Sequence, residues 1–399
     1  MIDHPVLGQV VLGYSPMIDK HRVITALRLT ICPLRADALP VAADLLAALA
    51  ATWPPDAGRL SLDVVGEPLL ERLMQGTLAA NQMLEVPAFI AADPVHAPAL
   101  AALYRQGSTL LVKGRPLSPL PKGVLDACAY SIIELADERR DGLPPPGGVN
   151  RTVPHVQAGV RSLVEMNAAF ARGAIAVLGW PIDDVAPMPG DKRNVTQPAM
   201  QAIVELINRV DRQEPIDRLE AVMKNDPTLA FRLLRYINSP AFGLRVEVTS
   251  FGHAIMLIGY QRLKRWLVLL LAASCRDANL KPVVYAAVRR GLVMEELGRC
   301  NACDDDQRGE LFIGGVFSLL DRLMQQPMVD LMNVLPTTEA VRAALVQGSG
   351  PLHPYLVLVQ ALESAASHAI RDAAEALLMS VPDVNRALLR ALVTARQLD

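Results

Sequence analysis

The ten residues Pro181-Ile182-Asp183-Asp184-Val185-Ala186-Pro187-Met188-Pro189-Gly190 split this chain into halves of different construction. Three prolines, a glycine and two acids can continue neither a helix nor a central strand, because proline lacks the amide proton that both use. Upstream, β-rich runs alternate with helical ones. Downstream, the strand signals stop. The segment marks a domain boundary: residues 1–182 read as one domain, 183–195 as a linker and 196–399 as a second, helical domain.

In the first domain, candidate strands fall at 9–18, 23–31, 60–65, 84–90, 109–113, 130–135, 153–160 and 174–180. Apolar-periodic stretches at 38–53, 67–81, 94–106 and 161–172 predict helices between them. The connection at 19–22 is too short for a crossover, so the first two strands are expected to pair antiparallel. The others need crossovers and should pair in parallel. Eight candidates favour a closed α/β barrel over an open sheet.

In the second domain, helices are expected at 198–210, 261–274, 283–299, 310–325, 338–346, 355–378 and 383–396. Asp226 reads as an N-cap, with Pro227 at the first helical position, where its missing amide is no loss. Thr249 or Ser250 caps an apolar helix that Gly259 interrupts. Ser380 and Asp383 have the spacing of a capping-box variant.

Charge is nearly balanced: the first 190 residues carry 15 basic and 18 acidic side chains, the remainder 24 and 23. Neither half offers the cationic face that phosphate binding needs, so nucleic acid is not an expected partner. Cys32, Cys128, Cys275, Cys300 and Cys303 form no disulfide framework and point to a reducing compartment. The longest apolar run, 266–273, falls far short of the ~20 residues of a membrane span. No basic-then-apolar signal segment opens the chain. A cytoplasmic protein without a membrane partner is the expectation.

Asn225-Asp226-Pro227, Leu233-Leu234-Arg235, Asn238-Ser239, Gly243, Thr249-Ser250, Ala254-Ile255 and Leu257-Ile258-Gly259 follow one another in order. This series resembles the signature region of the HDOD family, helical output domains of bacterial signalling proteins related to HD phosphohydrolases. The relationship raises the question of a metal, since HD hydrolases are named for adjacent His and Asp ligands. None of the seven histidines here precedes an aspartate; their successors are Pro5, Arg22, Ala97, Val156, Ala254, Pro354 and Ala369. A hydrolytic metal site needs several such ligands and an open position for water. His253 opens an apolar helix, where a packed or capping histidine is the simpler reading. The helical half is expected to be non-catalytic.

Tyr14-Ser15-Pro16-Met17-Ile18-Asp19, followed by Val23-Ile24-Thr25-Ala26-Leu27-Arg28, resembles the opening of EAL domains, barrels that hydrolyse the bacterial second messenger cyclic di-GMP. Gly314-Gly315-Val316-Phe317-Ser318-Leu319-Leu320-Asp321 and Leu335-Pro336 resemble the bacterial subfamily that joins such a barrel to an HDOD domain. The implied architecture is a degenerate EAL-like α/β barrel of the TIM type followed by an all-α HDOD domain. The EAL reaction implies carboxylates, an asparagine and a lysine at strand ends, holding divalent metals that activate water.

Carried onto this chain, the resemblance puts Thr25 in place of the signature glutamate, Asp63 in place of the asparagine and Glu85 as a surviving carboxylate on strand four. Strand five offers Val112-Lys113 where paired aspartates are implied, and strand six offers Ile132 where a lysine is. Strand seven has Ala158 and Arg161 where two glutamates are implied. Thr25, Asp63, Glu85, Lys113 and Ala158 are thus vestigial positions of a barrel mouth, to which Lys113 and Arg161 would add positive charge. The barrel is also short, at about 180 residues against ~250 for a typical one. No catalytic residue, metal or cofactor is expected.

Cys300-x-x-Cys303 has the spacing of half a zinc site or a redox pair, but no second paired motif accompanies it, and the cysteines follow a helix. Incidental surface cysteines are the simpler reading. Arg232, Arg235 and Arg245 with Tyr236 and Phe242 form a candidate interaction surface, although their spacing with Leu229, Leu233 and Ile237 equally describes a helix with a solvated basic edge. The expected function is that of a signal-transduction scaffold contacting other signalling proteins, without binding cyclic di-GMP. The alternatives are a cyclic di-GMP sensor that does not cleave, and a cyclic di-GMP phosphodiesterase or HD-type metal phosphohydrolase.

Overall fold

The computed structural model describes residues 4–138, 153–184, 198–224, 251–274 and 277–396. They fall into two compact units: Met1–Asp184 with Val357–Val393, and Val185–Leu356 with Thr394–Asp399.

The first unit is built on β1 (Val10–Asp19), β2 (Ile24–Pro33), β3 (Arg59–Val64), β4 (Gln82–Pro87), β5 (Thr109–Lys113), β6 (Cys128–Glu134), β7 (His155–Val160) and β8 (Ala176–Gly179). The strands close into a barrel in sequence order. β1 runs antiparallel to both neighbours, and the remaining pairs are parallel. A tight hairpin enforces that start: Asp19 Oδ1 accepts from the amides of His21 and Val23 at 2.8 and 2.9 Å. The parallel pairs need crossovers, which include α1 (Ala42–Thr52), α2 (Glu67–Met74), α3 (Ala88–Ala92), α4 (Ala97–Arg105), α5 (Lys122–Ala127) and α6 (Leu163–Ala171).

Alternation decides what each strand sends inward. In β3, Leu60, Leu62 and Val64 face the helices while Ser61 and Asp63 enter the barrel. Met17, Ala26, Met83, Leu111, Ile132 and Val156, drawn from around the ring, pack together in the interior. At the closing seam, Trp180 Nε1 donates to the Tyr14 carbonyl at 3.1 Å, and the two rings meet edge-on at 5.2 Å.

The far end of the chain completes this unit. Asn385 is fully buried. Its Nδ2 donates to the carbonyls of Leu7 and Val10, each at 2.7 Å, and its Oδ1 accepts from the Leu12 amide at 3.2 Å. The helix that carries it, Val381–Arg396, is capped as the sequence predicts: the Asp383 amide donates to Ser380 Oγ at 3.3 Å. Gly13 of β1 permits a second close approach, since a Cβ there would lie 2.6 Å from Ala365 Cα. Ala365 itself takes φ 55° and separates helices His353–Ser364 and Ser367–Ala376, so the single helix expected over 355–378 is two. Residues 196–399 therefore do not group as one helical domain, because Val357–Val393 pack with the barrel. Helical periodicity shows that a face is buried and is silent on which core buries it.

Two smaller differences have local causes. The strand expected over 84–90 stops at Pro87, which cannot extend a ladder, and Phe89 and Ile90 lie in α3. α3 and α5, of five and six residues, are too short to show a helical period.

The second unit contains α7 (Pro198–Asp211), α8 (Ile216–Lys224) and helices Phe251–Ala273, Lys281–Cys300, Asp305–Phe317, Leu320–Met324, Met328–Val334 and Glu339–Arg342. Its described residues include no strand. Gly259 kinks its helix at φ 74°, where the sequence expects an interruption. The helices Lys281–Cys300 and Asp305–Phe317 meet through glycines: a Cβ on Gly315 would lie 2.6 Å from Gly291 N. Arg265 pairs with buried Glu295 at 2.5 Å and covers the Phe312 ring at 4.3 Å, joining three helices. Helix 310–325 of the sequence reading is broken at Ser318 and Leu319. Asp226 and the motif residues 225–250 lie outside the described residues. Among the described residues, no helix is long and apolar enough to cross a membrane.

Candidate functional site

Toward the C-terminal ends of its strands, the barrel interior changes from apolar to charged. Arg28 Nη2 lies 2.6 Å from Glu85 Oε2 and 3.2 Å from Asp63 Oδ2. Lys113 Nζ lies 2.6 Å from Asp63 Oδ1. Ser61 Oγ donates to Glu85 Oε1 at 2.8 Å, and Thr30 Oγ1 to Asp63 Oδ2 at 3.2 Å. Carboxylates and cations from four adjacent strands thus alternate as Glu85, Arg28, Asp63, Lys113. The Glu85 side chain has 0% exposure, Asp63 8%, Arg28 11% and Lys113 31%.

This burial sets the electrostatics. It pushes the Glu85 carboxyl above its ordinary value, against the pull of Arg28. Burial also acts to raise Asp63, but Arg28 and Lys113 together hold it below the ordinary carboxylate range. For Arg28, burial opposes the charge, and Glu85 and Asp63 outweigh it and raise the guanidinium further; Glu134 of β6 adds to their field.

The residues present do not fit the pair of divalent ions that the EAL resemblance implies. Both interior carboxylates of the network are already matched by side-chain cations, and a guanidinium fills the space between them. A metal would have to expel Arg28 and draw Asp63 away from Lys113, and its other ligand, Glu85, is a carboxyl whose burial favours the protonated form.

Two mouth assignments need correction. Thr25 is exposed at the start of β2, with Oγ1 donating to the Met17 carbonyl at 3.3 Å. The β1–β2 register shifts between Met17 and Ile18 and leaves Thr25 unpaired, so the position that the resemblance assigns to the mouth falls at the entrance to the strand. The side chain that β2 sends into the charged layer is Arg28. Arg161 does not add charge to the interior: 55% exposed, it pairs with Asp183 at 2.5 Å.

The other assignments are placed as follows. Asp63, Glu85 and Lys113 come together in the network. Ala158 and Ile132 join the apolar interior, and Val112 is buried on the opposite face of β5 from Lys113. Sequence reasoning passed over Arg28 and Glu134; the alternation Ala26, Arg28, Thr30 was the available signal for the first. Arg232, Arg235, Tyr236, Phe242 and Arg245 lie outside the described residues.

Cys300 and Cys303 are half-buried rather than surface thiols. Cys303 Sγ lies 3.4 Å from Tyr355 Oη, which accepts from Asn301 Nδ2 at 2.8 Å; burial pushes the Tyr355 hydroxyl up to about 12. Among the described residues, Glu67 and Glu71 of α2 with His96, just before α4, are the one cluster with metal-ligating spacing. Beside Lys113, a pocket of about 540 Å³ is lined by Phe89, Asp93, Arg115 and Leu117, with Arg115 paired to Glu138 at 3.4 Å.

In the second unit, helices with a glycine-mediated contact and a kink at Gly259 accompany a sequence match: residues 196–332 match the family described as HDOD domain. The chain carries an HDOD domain. Within it, α7, α8 and the helices from Phe251 to Met332 are described.

Beyond the HDOD match, the chain is 28% identical over 167 residues to Uncharacterized protein YuxH of Bacillus subtilis, covering 40% of each protein. It is 25% identical over 202 residues to Cyclic di-GMP phosphodiesterase CdgJ of Vibrio cholerae, covering 50% of this chain and 46% of that one. In these matches the chain spans less than half the length of either relative. Solved structures overlap weakly. The Klebsiella pneumoniae BlrP1 calcium/cy-diGMP complex aligns at TM-score 0.33 and 14% identity, over 45% of this chain and 56% of that one. The FimX EAL domain from Pseudomonas aeruginosa bound to c-di-GMP aligns at 0.27 and 13%, over 46% and 93%. At such scores the closed strand order, not the overlap, defines the barrel.

Proposed function

We propose that this chain is a non-catalytic scaffold in cyclic di-GMP-linked bacterial signalling, whose HDOD domain engages other signalling proteins. One observation carries the reading: Arg28 bridges Glu85 and Asp63 in the barrel, where metal-dependent hydrolysis would need open carboxylates. The relative named as a cyclic di-GMP phosphodiesterase supplies the reaction to test. Purified full chain incubated with cyclic di-GMP and Mg²⁺ or Mn²⁺ is expected to give no linear dinucleotide above a protein-free control. Metal-dependent turnover that disappears in Glu85→Ala would overturn the reading.

A second reading, binding without cleavage, draws on the pocket that Lys113 and Arg115 line, where a phosphate would have to compete with their partners Asp63 and Glu138. Equilibrium dialysis with labelled cyclic di-GMP separates the two. Saturable binding without product favours the sensor, and no binding favours the scaffold.

A further inference from the structure

The HDOD unit contains a second cavity that the scaffold reading does not use. It holds about 840 Å³, between α7 and α8 on one side and helices Leu320–Met324 and Met328–Val334 on the other. That is within the ~300–1,000 Å³ of sites that take small molecules. One wall is aliphatic, formed by Leu271, Leu320, Leu331 and Leu335. The facing rim carries Arg209, Arg212 and Arg218 with Glu205 and Glu214.

These charges are not evenly matched. Arg209 serves both carboxylates, at 2.6 Å from Glu205 and 3.4 Å from Glu214. Arg212 and Arg218 are left without an ion pair among the described residues, so the uncompensated charge of the rim is positive. Among the described residues no aromatic ring lines the cavity, so a nucleobase would have no ring to stack on. Leucines instead match an aliphatic chain, and two guanidinia match an oxyanion with several acceptor lone pairs.

We propose that this cavity binds an acyl-chain anion. The chain lies along Leu271, Leu320, Leu331 and Leu335, and a carboxylate or phosphate head is held by Arg212 and Arg218. Neither the cavity nor its rim involves the barrel, so the proposal stands apart from the question of cyclic di-GMP.

Isothermal titration of the full chain tests it, using dodecanoate, dodecyl phosphate and dodecyltrimethylammonium below their micelle-forming concentrations. Single-site, saturable binding of an anion is expected, with the cation weaker by about tenfold or more. Comparing the two anions tells a carboxylate source from a phosphate source. The double variant Arg212→Ser, Arg218→Ser, both positions exposed, should weaken anion binding by about tenfold or more with an unchanged melting curve. No saturable binding, equal affinity for the cation, or an unaltered double variant overturns the proposal. So does a cavity that answers only to an acidic amphipathic peptide, which would make it a protein-docking groove.

Discussion

Arg28 reaches across from β2 to place Nη2 2.6 Å from Glu85 Oε2, on a glutamate whose side chain has no contact with solvent. A buried pair of this kind adds little to stability over a well-packed apolar pair, yet removing one partner leaves the other charge stranded. The contact therefore gives the barrel a charged layer that neutralises itself, Glu85 and Asp63 against Arg28 and Lys113.

Arg28→Met is expected to destabilise the protein by roughly 3–5 kcal/mol at neutral pH, because Glu85 loses the cation that pairs with it while Asp63 keeps Lys113. Adding Glu85→Gln to that variant should recover much of the loss. Urea denaturation of both variants checks this; a single variant as stable as the parent contradicts the network.

Acid should act through Asp63. Its folded pKa is depressed, so its ion pairs contribute stability that is complete above the unfolded value of about 3.9 and is lost as pH falls through the folded value. Glu85, whose folded pKa is raised, contributes with the opposite sign: its ionisation opposes folding, and protonation on descent relieves that. Asp63→Asn should flatten the acid limb of a melting-temperature profile. A limb of unchanged slope would assign acid sensitivity elsewhere.

In the HDOD unit, Gly315→Ala places a methyl 2.6 Å from Gly291 N and 2.7 Å from the Arg290 carbonyl, both backbone atoms that cannot rotate aside. A loss of about 1–3 kcal/mol is expected from forced separation of the two helices. Gly309→Ala, where nothing lies within reach of the new methyl, serves as the control on a neighbouring turn. Equal melting of the two variants would remove the close-packing account.

Asn385→Ala should cost on the order of 3 kcal/mol, since it orphans the carbonyls of Leu7 and Val10 and the amide of Leu12 in a buried setting. Hydrogen exchange offers the readout: the Leu12 amide is expected to lose protection ahead of the rest of β1. Retained protection would show that packing alone holds the helix.

Much of this was legible in the residues. The eight strands announced themselves because a parallel barrel buries aliphatic runs between turn signals, and the hairpin at 19–22 forced the antiparallel start. Asp63, Glu85 and Lys113 were found as a group because a family pattern pointed at their strands. Arg28 was passed over because the family pattern pointed at Thr25 on that strand, although the alternation Ala26, Arg28, Thr30 carried the signal. The return of Val357–Val393 to the barrel was hidden for a different reason: the Asn385 clamp joins residues more than 370 positions apart, and local sequence holds no record of its partner.

That clamp also has a consequence in time. Val357 follows Asp184 by about 170 residues, and a ribosome adding roughly 5–20 residues per second takes on the order of ten to thirty seconds to traverse them. Throughout that interval the nascent barrel has its strands but lacks the helix that satisfies the head of β1. The segment that latches β1 is made about 200 residues after the last strand, so the barrel cannot finish folding until the second unit has been synthesised.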